Sequence, residues 1–117
     1  MLDYVSFSVI DFKKSLAFYD ATLTTLGYER VMTVDTPEHQ MAAYGVGQKP
    51  SFWIVANPEL HVAKKINPLQ FNVGLIAPSA DAIKMWHARC LAHGAHDNGA
   101  PEHKPFFASW LLLSTHN

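Results

Sequence analysis

The chain has 117 residues, of which 49% are hydrophobic and 16% charged, a balance that suits one globular domain and excludes a disordered chain. Its formal net charge is −1 and Lys plus Arg number only 9, so no basic stripe for nucleic acid is available. No uninterrupted apolar run reaches the length of a membrane span, and no basic stretch followed by a long apolar run opens the chain, so neither a membrane partner nor a signal peptide is expected.

The first element is an imperfectly alternating strand over residues 2–10, with Leu2, Val5, Phe7 and Val9 apolar. Asp11 follows as a helix N-cap, because its carboxylate can accept from a free amide of the first turn. Phe12, Leu16, Tyr19, Leu23 and Leu26 recur at spacings of three and four, which predicts one buried helical stripe. Gly27 is the natural stop, since it tolerates a left-handed backbone. Strands are then predicted over 28–34, 39–46 and 51–56, with a turn at Pro37. Residues 58–68, bounded by Pro58 and Pro68, read as a linker. A second half opens with an apolar strand over 69–77. Ser79 caps a second helix with Ile83, Trp86, Cys90 and Leu91 inward, and Gly94 ends it. Asp97-Asn98-Gly99 is a tight-turn signature, 95–97 is a doubtful strand, and 106–114 is the last apolar run.

A shift of 68 places Tyr4 on Asn72, Asp11 on Ser79, Phe18 on Trp86 and Leu23 on Leu91. Strand, cap, helix and glycine therefore occur twice. The expected architecture is α+β: two βαβββ modules, the second truncated, whose curved mixed sheets enclose a cleft. Module one covers 1–57 and module two 69–117 within a single domain of 1–117.

A doubled β-α-β-β-β unit resembles the vicinal oxygen chelate superfamily of glyoxalases, bleomycin-resistance proteins and extradiol dioxygenases. Asp11-Phe12-Lys13-Lys14-Ser15-Leu16-Ala17-Phe18-Tyr19 resembles that family's helix start, and Leu26-Gly27-Tyr28 its helix exit. Lys49-Pro50-Ser51-Phe52-Trp53-Ile54 and Asp97-Asn98-Gly99-Ala100-Pro101 resemble a strand and a loop of one bacterial glyoxalase-like group. The resemblance implies a pocket that often holds a divalent metal through a His on the first strand, a ligand on the fourth, a His on the fifth and a Glu on the last.

This chain departs from that pattern. Tyr4 stands at the first position and Asn72 at the third, residues 50–57 hold no carboxylate or His, and the chain ends before a final Glu strand. No cofactor is therefore expected, with a divalent metal as the alternative. Seven histidines are scattered, and the one close pair, His93 and His96, straddles Gly94. Cys90 is the sole cysteine, which excludes an internal disulfide, suits a cytoplasmic setting and reads as a small buried residue. Neither a Gly-x-Ser-x-Gly elbow nor a phosphate-binding glycine loop occurs, so no catalytic residue is assigned.

What remains is a small-molecule pocket lined by Tyr4, Trp53, Asn72, His103 and Trp110, since aromatic walls with a few polar groups suit such a ligand. The same aromatics would serve equally as core filling. The expected function is small-molecule binding on a degenerate metal site. The alternatives are a lyase, isomerase or dioxygenase with unorthodox ligands, and a structural protein with a filled pocket. A missing last strand would leave an exposed edge, so a homodimer is also expected.

Overall fold

The computed structural model describes residues 2–57 and 73–95 in full and, beyond them, the backbone of four short strands. The order is β1 (Val5–Val9), α1 (Phe12–Leu23), a 3-10 turn (Thr24–Leu26), β2 (Glu29–Asp35), β3 (Gln40–Val46), β4 (Lys49–Ala56) and α2 (Ala80–Ala92). The short strands are β5 (His96–Asp97), β6 (Glu102–Lys104), β7 (Phe107–Trp110) and β8 (Leu113–Ser114). Mixed strands beside two helices make an α+β fold. The βαβββ unit predicted for the first half is present over residues 5–56.

Its four strands form one open sheet in the order β1-β4-β3-β2. β1 runs parallel to β4, with Ser6 beside Trp53, while β4–β3 and β3–β2 are antiparallel. A parallel pair needs a long crossover, and α1 with the β2–β3 hairpin supplies it.

Local chemistry sets the helix ends. The Asp11 carboxylate accepts from the Lys14 amide at 3.1 Å, and the Ser79 hydroxyl accepts from the Ala82 amide at 3.1 Å. Gly27 and Gly94 have φ of 85° and 100°, a left-handed conformation in which a Cβ is strained. α1 ends at Leu23 and not at Leu26, because the chain tightens into the 3-10 turn before Gly27. Leu26 is still buried, as the helical spacing requires.

The core lies between the sheet and α1. Val9, Phe12, Leu23, Ala42, Tyr44, Phe52 and Ile54 form its buried cluster, with Leu16, Tyr19 and Leu75 packed against it. Phe52 is its centre, with ring centroids of Phe7 and Tyr19 both at 5.2 Å. The Tyr44 hydroxyl donates to Asp20 Oδ1 at 2.9 Å, and Arg30 Nε meets the same oxygen at 3.3 Å. Burial first, and that bond to Asp20 second, hold the Tyr44 phenol well above the ordinary tyrosine range.

α2 packs against α1 through its C-terminal half. Arg89 donates to the Ala21 carbonyl at 3.3 Å, which places a cation at the negative end of α1. The Cys90 thiol pairs with Thr22. Both contacts join residues 68 apart, the offset of the sequence repeat.

Several expectations are corrected. Leu91 was expected inside, but it is exposed; Ala82 and Cys90 are the buried residues of α2. Residues 73–77, expected to be strand, carry no ladder among the described residues, although Val73, Leu75 and Ala77 turn in and Gly74 and Ile76 out. The run over 106–114 holds two short strands with different partners, β7 on β6 and β8 on β5. Strand β6 has no counterpart among the expected elements, because its three polar residues carry no apolar alternation. The proposed linker 58–68, residues 69–72 and the Asn98-Gly99 turn lie outside the described residues. No described helix is long and apolar enough to cross a membrane.

Candidate functional site

Strand alternation divides the sheet into two faces. Val5, Phe7 and Val9 of β1 and Phe52 and Ile54 of β4 turn toward α1 and the core. The intervening positions turn to the opposite, helix-free face. These are Ser6 and Ser8 on β1, and Trp53 and Val55 on β4, beyond the register shift that separates Pro50 from Phe52. The register carries the same face across β3 and β2, through Met41 beside Val55, Ala43 beside Trp53, and Met32 beside Ala43. One row across this face therefore reads Ser6, Trp53, Ala43, Met32. Its floor is apolar and its β1 edge carries hydroxyls.

Tyr4 immediately precedes β1 and continues its alternation on the open face. Its ring meets Trp53 edge-on, with centroids 6.4 Å apart and planes at 65°. That spacing and angle are favourable for two aromatic quadrupoles. Tyr4 is 55% exposed and Trp53 half-buried, so neither fills the core. Beside them is an open hollow of about 430 Å³, lined by Asp3, Tyr4, Ser6, Lys49, Pro50 and Trp53. The Asp3 carboxylate and the Lys49 ammonium pair at its rim.

Of the five residues expected to form the pocket, the structure brings Tyr4 and Trp53 together. His103 lies on β6 and Trp110 on β7, two adjacent strands of one hairpin, with Trp110 opposite Glu102. Asn72 is outside the described residues. Asp3, Ser6, Lys49 and Pro50 were not anticipated. Alternation gives no signal for Lys49, because β4 begins there and its register shifts between Pro50 and Phe52 before Trp53 is reached.

The architecture is that of a βαβββ module whose sheet keeps one face for its helix and leaves the other open among the described residues. A family profile described as the glyoxalase/bleomycin resistance protein/dioxygenase superfamily matches residues 1–111. The chain belongs to that superfamily. It is similar in fold to a glyoxalase/bleomycin resistance protein from Albidiferax ferrireducens T118, at 23% identity, with 89% of this chain and 81% of that one covered and a TM-score of 0.67. It is also similar to a glyoxalase/bleomycin resistance protein/dioxygenase family enzyme from Burkholderia phytofirmans PsJN. There the identity is 17%, the coverage 89% and 81%, and the TM-score 0.55. A hypothetical protein from S. aureus aligns over 98% of this chain and 87% of its own at 16% identity, with a TM-score of 0.59. No curated protein matches the chain in sequence.

Membership raises the question of a divalent metal, and the donors on the open face answer it poorly. They are an ammonium, hydroxyls and an indole; the one carboxylate at the hollow, Asp3, is engaged by Lys49. A stable divalent site converges several carboxylate, imidazole or thiolate donors. Among the described residues no group of three or more His, Cys, Asp or Glu converges. The described residues do not fit the metal.

Proposed function

We propose that this protein binds a small, largely apolar molecule on the open face of its sheet, without a metal. One observation carries the reading. The Tyr4 and Trp53 rings stand together over a hollow whose described lining offers hydroxyls and one ion pair but no set of cation-holding donors. Stacking area with a few polar groups gives affinity and orientation to a small ligand. The carboxylate and the ammonium of the described lining are spent on each other in a solvent-exposed ion pair, which favours binding over turnover.

Thermal-shift screening of a small-molecule library, run in parallel with and without a strong chelator, tests this. The expected result is a set of aromatic hits whose shifts are the same in both arms. Hits that vanish with chelator, or stoichiometric Ni, Zn, Fe or Mn in protein purified without an affinity tag, overturn it. The homodimer and the cytoplasmic setting belong to the same proposal. A buried, unpaired Cys90 suits a reducing compartment. Light scattering that finds a monomer at micromolar concentration removes the dimer.

A further inference from the structure

We propose that the hollow takes an aromatic carboxylate, its ring against Trp53 and Tyr4 and its carboxylate on the Lys49 ammonium, where Asp3 now sits. This rests on the small-molecule reading above and specifies the ligand.

The two halves of the rim ion pair are held differently. Lys49 is fixed: it opens β4, and its backbone pairs with Val46 across a tight turn at Gly47-Gln48. Trp53 lies four residues further along the same strand, past a register shift, and lines the same hollow. Asp3 lies two residues outside β1, on the chain leading into it. Its side chain is 69% exposed and that of Lys49 is 61% exposed. An ion pair so solvated contributes little to stability. The Asp3 carboxylate therefore acts as an exchangeable internal stand-in for a ligand anion, and the anchored ammonium as its receptor.

The rings set the rest of the ligand. Tyr4 and Trp53 cross at 65° and both line the hollow, so two ring surfaces border the space that a planar ring would enter. Ser6 lines the same hollow and pairs in register with Trp53, so a hydroxyl stands beside that ring. A neutral ligand would leave the Asp3–Lys49 pair intact and gain nothing from it. A cationic ligand would have to displace the ammonium of Lys49, whose backbone is held in the β3–β4 ladder, and keep the carboxylate of Asp3, which lies outside any ladder.

Calorimetric titration at low salt decides this with three matched probes: 2-naphthoate, 2-naphthalenemethanol and 2-naphthylmethylammonium. Wild type is compared with Asp3→Asn, Lys49→Gln and Trp53→Leu, each first shown to melt cooperatively. Naphthoate should bind wild type best of the three, about tenfold more weakly in K49Q and about threefold more tightly in D3N, as loss of a charge-assisted contact and of its competitor require. The alcohol should respond to neither charge variant, and W53L should weaken all three. The tightening in D3N is the discriminating result, because a merely structural Asp3 would give no gain. Alcohol bound as tightly as acid, a preference for the ammonium, or a D3N variant no tighter than wild type overturns the carboxylate assignment and leaves the small-molecule reading standing. Failure of all three probes to bind wild type overturns the carboxylate assignment, and the library screen then judges the broader reading separately.

Discussion

Cys90 illustrates how a single residue's surroundings govern its chemistry. It is 1% exposed, and burial pushes its thiol up from the ordinary cysteine range to about 12, the contact with Thr22 pulling the other way. A raised folded pKa means that the thiolate is disfavoured in the native state. Its contribution to stability is whole below the unfolded thiol's pKa and is lost as pH rises toward 12. Denaturation midpoints in urea should therefore be flat through neutral pH and fall above pH 9. The fall should be shallower in Cys90→Ala, by up to about 1.4 kcal/mol per pH unit. Tyr44, shifted in the same direction, adds to the fall at higher pH in both proteins. A native thiol reagent assay at pH 8 should find Cys90 inert until the protein unfolds; rapid labelling of the folded protein would contradict its burial.

At the scale of the element, the β3–β4 hairpin is the most constrained piece of the chain. A Cβ at Gly45 would lie 1.7 Å from the Lys49 carbonyl oxygen, a backbone atom that cannot swing aside. Its turn places Gly47 and Gln48 at φ of 64° and 70°, the pair of left-handed residues that a two-residue hairpin favours. Gln48 is the only described residue other than glycine with positive φ, and such a backbone costs a side-chain-bearing residue about 1 kcal/mol. Gln48→Gly should therefore raise the melting temperature by a few degrees, corresponding to up to about 1 kcal/mol. Gly45→Ala should lower it by considerably more. A Gly45→Ala protein as stable as wild type would mean that the hairpin is free to shift its register.

The helix ends were legible in the sequence because a cap is a contact within three residues. Asp11 with Lys14, Ser79 with Ala82, and the two left-handed glycines are all local. The strand partners were not legible, since alternation in β1 and β4 says nothing of their being neighbours. Leu91 illustrates a related limit: a helical spacing names a stripe, but the packing of α2 on α1 chose the stripe through Ala82 and Cys90 instead. A third of the hollow's lining was readable for the same reason. Tyr4 and Trp53 carry aromatic character wherever they fall, whereas the meaning of Asp3 and Lys49 comes from a contact across 46 positions of chain.

For the molecule as a whole, stability should grade outward from β3 and β4. These central strands are paired on both sides, and Ala42, Ala43, Tyr44 and Ile54 are sealed from solvent. Native-state hydrogen exchange should be slowest at their amides and faster along β2. That strand is an edge of the described sheet, and its register slips between Arg30 and Met32. Such an irregularity, with Glu29, Arg30 and Asp35 along it, discourages edge-to-edge association. Uniform protection across all four strands would contradict the gradient.

The crossing of α1 and α2 has a consequence for how such a chain ages. Thr22 meets Cys90 and the Ala21 carbonyl meets Arg89. A change in bulk on one helix is felt at once by the other and invites an answering change sixty-eight residues away. A seam this narrow ties the histories of two distant stretches of sequence together, while the surfaces that face away from it drift independently.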